Sequence, residues 1–162
     1  MADFSDRLDR AIQRGQRIRR KSDAETSRAE MSADEAKSKH SAGRLELSEY
    51  VEGCLKALVD RFPGFQYANV YSEDGWGGRV SRDDLRLGRG DGPREEYSRL
   101  ELVVPPLGEM SILSLTGKAA VRNKELFNRS HFQRLEELDL DSFKETIDLW
   151  VLEYAERYSA TA

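Results

Sequence analysis

Few side chains in this sequence are suited to covalent or acid–base chemistry. His40 and His131 are the two histidines and Cys54 is the single cysteine. A nucleophilic or proton-transfer centre needs such groups within hydrogen-bond reach of a base and of a group that orients it. No Ser/His/Asp or Cys/His grouping stands out along the chain. His131 reads as a partly buried histidine bonded within its loop rather than a proton carrier. Cys54 sits at helical spacing among Val51, Leu55 and Leu58, the setting of a core thiol rather than a nucleophile. One cysteine also rules out an internal disulfide and a thiolate metal cage. The expectation is therefore a protein that is not an enzyme, with no catalytic residue and no cofactor.

Asp139 and Asp141, preceded by Glu136 and Glu137, have the charge to attract a cation. They lack the spacing, central glycine and terminal glutamate of a calcium loop, and acids near a helix start are favoured by the dipole in any case. No metal is expected. Gly88, Gly90 and Gly92 in "GRGDG" lack the strand-to-helix context of a dinucleotide fingerprint and read as turn residues. Asn128-Arg129-Ser130 matches a glycosylation sequon, but with no export signal expected it carries no weight.

Two features suit binding instead. Trp76 stands among Gly75, Gly77 and Gly78, where an indole is either an exposed contact anchor or a cover for the end of a sheet. The stretch "RGQRIRRK", residues 14–21, puts five positive charges into eight residues of a chain whose net charge is −4. Arg7, Arg10, Arg14, Arg17 and Lys21 step by three and four, so a helix stacks them on one face. Phe4, Leu8, Ala11, Gly15 and Ile18 follow the same rhythm with Ile12 beside them, a short apolar seam next to the basic stripe. With Leu8 at heptad position a, the g positions are Arg7, Arg14, Lys21 and Arg28, and a parallel copy would set Arg14 against Arg19. Self-pairing in that register is disfavoured, and an acidic partner is wanted.

The elements that position these residues follow from composition. At 162 residues, with 35 % charged and 38 % hydrophobic side chains, the chain fits one domain and a solvated appendage. Residues 1–44 hold 11 Lys and Arg against 8 Asp and Glu, whereas residues 45–162 hold 15 against 22. The expected division is a polar, basic-striped helical extension over 1–42 and a small α+β domain over 43–162. The N-terminus is charged from its third residue, and no run of about 20 apolar residues occurs, which points to a soluble cytoplasmic protein without a membrane segment.

Within the domain, Leu47, Tyr50, Val51, Cys54, Leu55, Leu58, Val59 and Phe62 mark one helix face, ended by "RFPG". "FQYANVYS", a short strand around Trp76 to Ser81, "YSRLELVVPP" and "EMSILSLTGKAAV" read as strands, with "RLGRGDGPRE" as an exposed loop. Gly117 is expected at a bulge or turn. "FNRSHFQRLEELD" reads as a loop and helical turn pinned by Phe127, Phe132 and Leu135. Ser142 and Glu145 open a last helix whose apolar face is Phe143, Ile147, Trp150, Val151, Tyr154 and Tyr158. Closely spaced strands without intervening helices imply an antiparallel meander, here of about four strands, with the C-terminal helix packed on one sheet face.

The functional expectation is an interaction or adaptor module. Its N-terminal helix docks through Phe4, Leu8, Ile12 and Ile18, with Arg7, Arg10, Arg14, Arg17 and Lys21 meeting acids on a partner or on another copy of the chain, and Trp76 as a further contact. The alternatives are a nucleic-acid-associated protein using the same arginines, or a small-ligand binder or enzyme with a pocket near His131, Tyr67 or Tyr154.

Overall fold

The structure, a computed structural model, describes residues 4–28, 32–87 and 93–161, and of these the side chains other than 23–28, 85–87, 93 and 94. Gly88, Gly90 and Gly92, expected as turn residues, and the side chain of Arg28 lie outside what is described. The chain divides into two compact units, residues 1–35 and 36–162. Helix α1, Phe4–Arg28, makes up most of the first. No described helix is long and apolar enough to cross a membrane.

Helix α2 runs from Ala33 to Arg61. Its start is set by Ser32, whose hydroxyl accepts from the Glu35 amide at 3.2 Å, satisfying one of the donors a helix leaves open at its first turn. The helix passes through Gly43 unbroken, and Ala36, His40 and Gly43 are buried along with Leu47, Val51, Leu55 and Leu58. Composition changes at Gly43, but the helix does not.

Five strands follow, each hydrogen-bonded to the next in sequence: β1 Gln66–Ser72, β2 Gly75–Leu87, β3 Pro93–Val104, β4 Ile112–Val121 and β5 Lys124–Arg134. The fold is thus α+β with an antiparallel meander, one strand longer than the sequence led us to expect. The additional strand is β5, where a loop was expected. On one side of β5, Phe127, Arg129, His131 and Gln133 alternate toward the helices. Three of these four are polar, so the period-two apolar signal is lost. Their polar ends are satisfied there: Arg129 pairs with Glu153 at 2.5 Å and Gln133 accepts from the Asp139 amide at 2.7 Å. Phe132 points the other way and is 63 % exposed, whereas Phe127 and Leu135 are buried as expected.

Gly117 is neither bulge nor turn. It lies within β4 opposite Leu102, and a Cβ there would meet the Trp150 ring at 2.7 Å, so the indole rests on bare backbone. The bulge falls at Ala119/Ala120, and Arg122 and Asn123 make the turn with positive φ. Strands β2 and β3 also run further than expected, taking in residues 86–87 and 93–95 of the predicted loop.

After a 3-10 turn at Leu135–Glu137, helix α3 runs Leu140–Ala160. Its cap is Asp139, which accepts from the Ser142 amide, rather than Ser142 itself. All six residues of its expected apolar face are buried. An odd number of strands returns the chain in the sense in which it entered, so α3 lies beside α2 and runs the same way. Contacts climb both helices in step: Glu46 with Lys144 at 3.0 Å, Tyr50 with Asp148 at 2.6 Å, and the rings of Phe62 and Tyr158 at 5.4 Å. Together they cover Val80, Leu100, Leu102, Val104, Leu113 and Leu115.

This packing predicts a sharp contrast along one helix. Phe143→Ala should cost about 3–5 kcal/mol of stability in urea denaturation, and Leu149→Ala, on the exposed side of α3, about 0.5 kcal/mol or less.

Candidate functional site

Helix α1 carries the basic stripe and the apolar seam together. Every residue from Phe4 to Lys21 is exposed, including Arg7, Arg10, Arg14, Arg17 and Lys21. Phe4 is 75 % and Ile18 70 % exposed, with Leu8 and Ile12 at about half. Sustained i, i+3, i+4 spacing places this seam along one side of the rod, with the one-signed stripe about a quarter-turn or more away. These exposed branched and aromatic side chains lie in a line rather than scattered singly.

Trp76, the remaining predicted contact residue, belongs to the second unit. It opens the core-facing side of β2 opposite Val104 and is 38 % exposed. Its ring is covered on one face by the Arg44 guanidinium, 3.7 Å from the centroid, and is met edge-on by Tyr71 at 6.0 Å. Stacking of this kind stabilises both partners while leaving the other guanidinium donors open. The indole is therefore both a partial sheet cover and a partial surface. Arg44 and His40 complete this corner, one helical turn apart on α2. Neither is visible as a site residue in the sequence, because their relevance depends on α2 extending upstream of the apolar face that announces it.

His40 is 3 % exposed, and its Nε2 has no hydrogen-bond partner; nor does Nε of Arg44. Burial lowers the His40 pKa and the neighbouring Arg44 charge lowers it further, against a smaller opposing effect of the Pro105 backbone. The imidazole is held neutral beside a guanidinium to which no described carboxylate is paired.

The other chemically capable groups are parts of the packing. Tyr50 donates to Asp148 at 2.6 Å, with the Cys54 thiol 3.7 Å from the same oxygen. That bond holds the Tyr50 proton well above the usual phenol range. Burial, followed by the Asp148 charge, raises the Cys54 thiol. A thiol kept protonated is a poor nucleophile. His131 faces the Phe143 ring at 4.8 Å and lies 3.3 Å from Gln133 Nε2. Tyr154 donates to the Ala120 carbonyl at 3.0 Å, and Tyr67 bonds Asn69 at 2.8 Å. His131, Tyr67 and Tyr154 thus make separate contacts and are not brought together around a cavity. A hollow of about 320 Å³ lies between α2 and the start of α3, lined by Lys39, Gly43, Glu46, Leu135, Leu138 and Leu140 among others. None of those three residues lines it. Among the described residues no three His, Cys, Asp or Glu side chains gather as a metal site; Asp139 serves as the helix cap.

The buried imidazole makes stability depend on pH. Its folded-state pKa lies below the ordinary 6.5, so as pH falls the unfolded chain takes up the proton first. The stability that neutral His40 contributes is whole above that value and is lost below it. Between about pH 7.5 and about pH 5.5, the urea midpoint of the parent should fall further than that of His40→Gln. Equal falls would count against it.

Comparison with family models, with curated proteins and with solved structures finds no match to this chain.

Proposed function

We propose that the protein is a non-enzymatic interaction module whose helix α1 docks on an acidic protein surface. The observation that carries this reading is the exposed line of Phe4, Leu8, Ile12 and Ile18 running beside Arg7, Arg10, Arg14, Arg17 and Lys21. An apolar seam has no counterpart on a phosphate backbone, whereas a protein groove flanked by carboxylates satisfies seam and stripe together. The seam is the energetic part of the contact, because it removes apolar surface from water. The arginines select the partner and speed encounter, an effect that salt weakens. A parallel copy of α1 is a poor occupant, since it opposes Arg14 to Arg19 with no acid between them.

Nucleic acid is the competing occupant of the stripe, and one set of variants separates the two. Leu8→Asp with Ile18→Asp removes the seam and leaves the stripe. Arg7→Glu, Arg10→Glu, Arg14→Glu and Arg17→Glu together reverse the stripe and leave the seam. Docking on an acidic protein requires both, so each variant should lose the nuclease-resistant protein complexes that the parent chain captures. Retention in a generic oligonucleotide gel shift at about 50 mM salt, fading by about 200 mM and unaffected by the seam variant, would assign the stripe to nucleic acid instead.

A further inference from the structure

The sheet has two edges, and they are built differently. Edge strand β5 carries Lys124, Glu125, Arg129 and Arg134 and is broken by the irregularity at Ala119/Ala120. Charges and bulges of this kind are how proteins keep edge strands from recruiting others. Edge strand β1, Gln-Tyr-Ala-Asn-Val-Tyr-Ser from Gln66 to Ser72, has no charge, no proline and no bulge, and it pairs with β2 in unbroken register over its full seven residues. Among the described residues, no backbone group outside the β1–β2 ladder bonds to the β1 backbone. Tyr71 on this strand is 71 % exposed. An uncharged, open edge is a template for another strand.

The sequence of that edge says which strand fits. Read outward from Asn69, it is nearly the same in both directions: Ala68 and Val70, then Tyr67 and Tyr71, then Gln66 and Ser72. We propose that β1 is a homodimer interface. Two copies pair antiparallel across a two-fold axis at Asn69, joining their sheets into one of ten strands. Antiparallel pairing about such an axis keeps the same face of both sheets upward, so opposed residues must share a face. The Asn69-centred register satisfies this with Tyr67 opposite Tyr71 on the helix side and Ala68 opposite Val70 on the other. Aromatic pairs and small-to-branched pairs are favourable cross-strand neighbours, and no like charges meet.

Moving the axis by one residue along β1, a two-residue slip between the strands, shortens the ladder from seven pairs to five; in one direction it also sets Tyr67 against Glu73. The α2 residues above this edge do not oppose the pairing either. Lys56 lies 5.5 Å from the Tyr67 ring and is paired with Glu52 at 2.6 Å, so the local charge is balanced. The interface is isologous and closes on itself, which limits the assembly to two copies and occupies the edge that would otherwise aggregate.

The full chain should show a light-scattering mass twice its 18.5 kDa at micromolar concentration. Asn69→Lys and Asn69→Asp each place like charges on the axis and should raise the dimer dissociation constant at least about tenfold. An equimolar mixture of the two should restore the dimer. In a Cys54→Ser background, Asn69→Cys should cross-link two chains under mild oxidation, whereas Ser72→Cys should not. The seam variant Leu8→Asp/Ile18→Asp should remain dimeric. A monomeric parent, a dimer indifferent to Asn69→Lys, a mixture that stays monomeric, equal cross-linking at positions 69 and 72, or a dimer lost with the seam would each overturn the proposal.

Discussion

The indole of Trp150 lying on Gly117 is the contact around which the folded unit is arranged. A meander buries only the face it is given a cover for, and the cover must come from helices at its two ends in sequence. At Gly117 the sheet offers no side chain, and a Cβ there would stand 2.7 Å from the ring. The largest side chain of α3 can therefore approach the middle of the sheet, beside Leu102. Once Trp150 is seated, the turns on either side of it bring Ile147 and Tyr154 onto the same face. The Tyr154 hydroxyl then reaches the Ala120 carbonyl and Glu153 reaches Arg129. The helix is positioned by shape at its centre and by polar contacts at its rim.

Polar groups at the limits of this core have structural partners for the most part. At the end where α2 and α3 both finish, Arg82 pairs with Asp84 at 2.8 Å and donates to the Pro63 carbonyl at 2.7 Å, while Arg122 pairs with Glu96 at 3.1 Å. These side chains stay partly in contact with water, so each pair contributes modestly to stability. Their joint effect is to fix the β2–β3 hairpin where it runs past its neighbours. The corner formed by His40, Arg44 and Trp76 is different. There a cation is stacked rather than paired and an imidazole is buried without a partner for Nε2. Charge in that corner is held in place by an aromatic face and by burial.

The two proposed interaction surfaces differ in kind. On α1 the information is in side chains: an apolar line for contact area and a line of one charge for choosing a partner. On β1 it is in the backbone, and the side chains contribute chiefly by having no charge and by their symmetry about Asn69. On these proposals the first surface disfavours a parallel copy of itself because like charges would meet, and the second accepts an antiparallel one because none do.

Apolar periodicity determined the two helix faces of the folded unit, because burial on one side writes a period into the residues concerned, and the close spacing of strand-like segments with no helix between them determined the α+β class and the antiparallel order. Periodicity also marked the seam and stripe of α1 as sharing one rod. Strand β5 was not legible, since Arg129, His131 and Gln133 occupy inward positions, and their polar ends are met by Glu153 of α3, by the Asp139 amide ahead of it and by one another. The upstream part of α2 reads as helical in the sequence but as part of a solvated extension; its continuity with the apolar helix and the burial of Ala36, His40 and Gly43 were not legible, since that burial comes from parts of the chain distant in sequence. The parallel sense of α2 and α3, the role of Gly117, and the pairing of Arg44 with Trp76 were decided by tertiary structure. Each depends on how many strands lie between two helices and on which backbone lies beneath which ring, and local propensity carries no record of either.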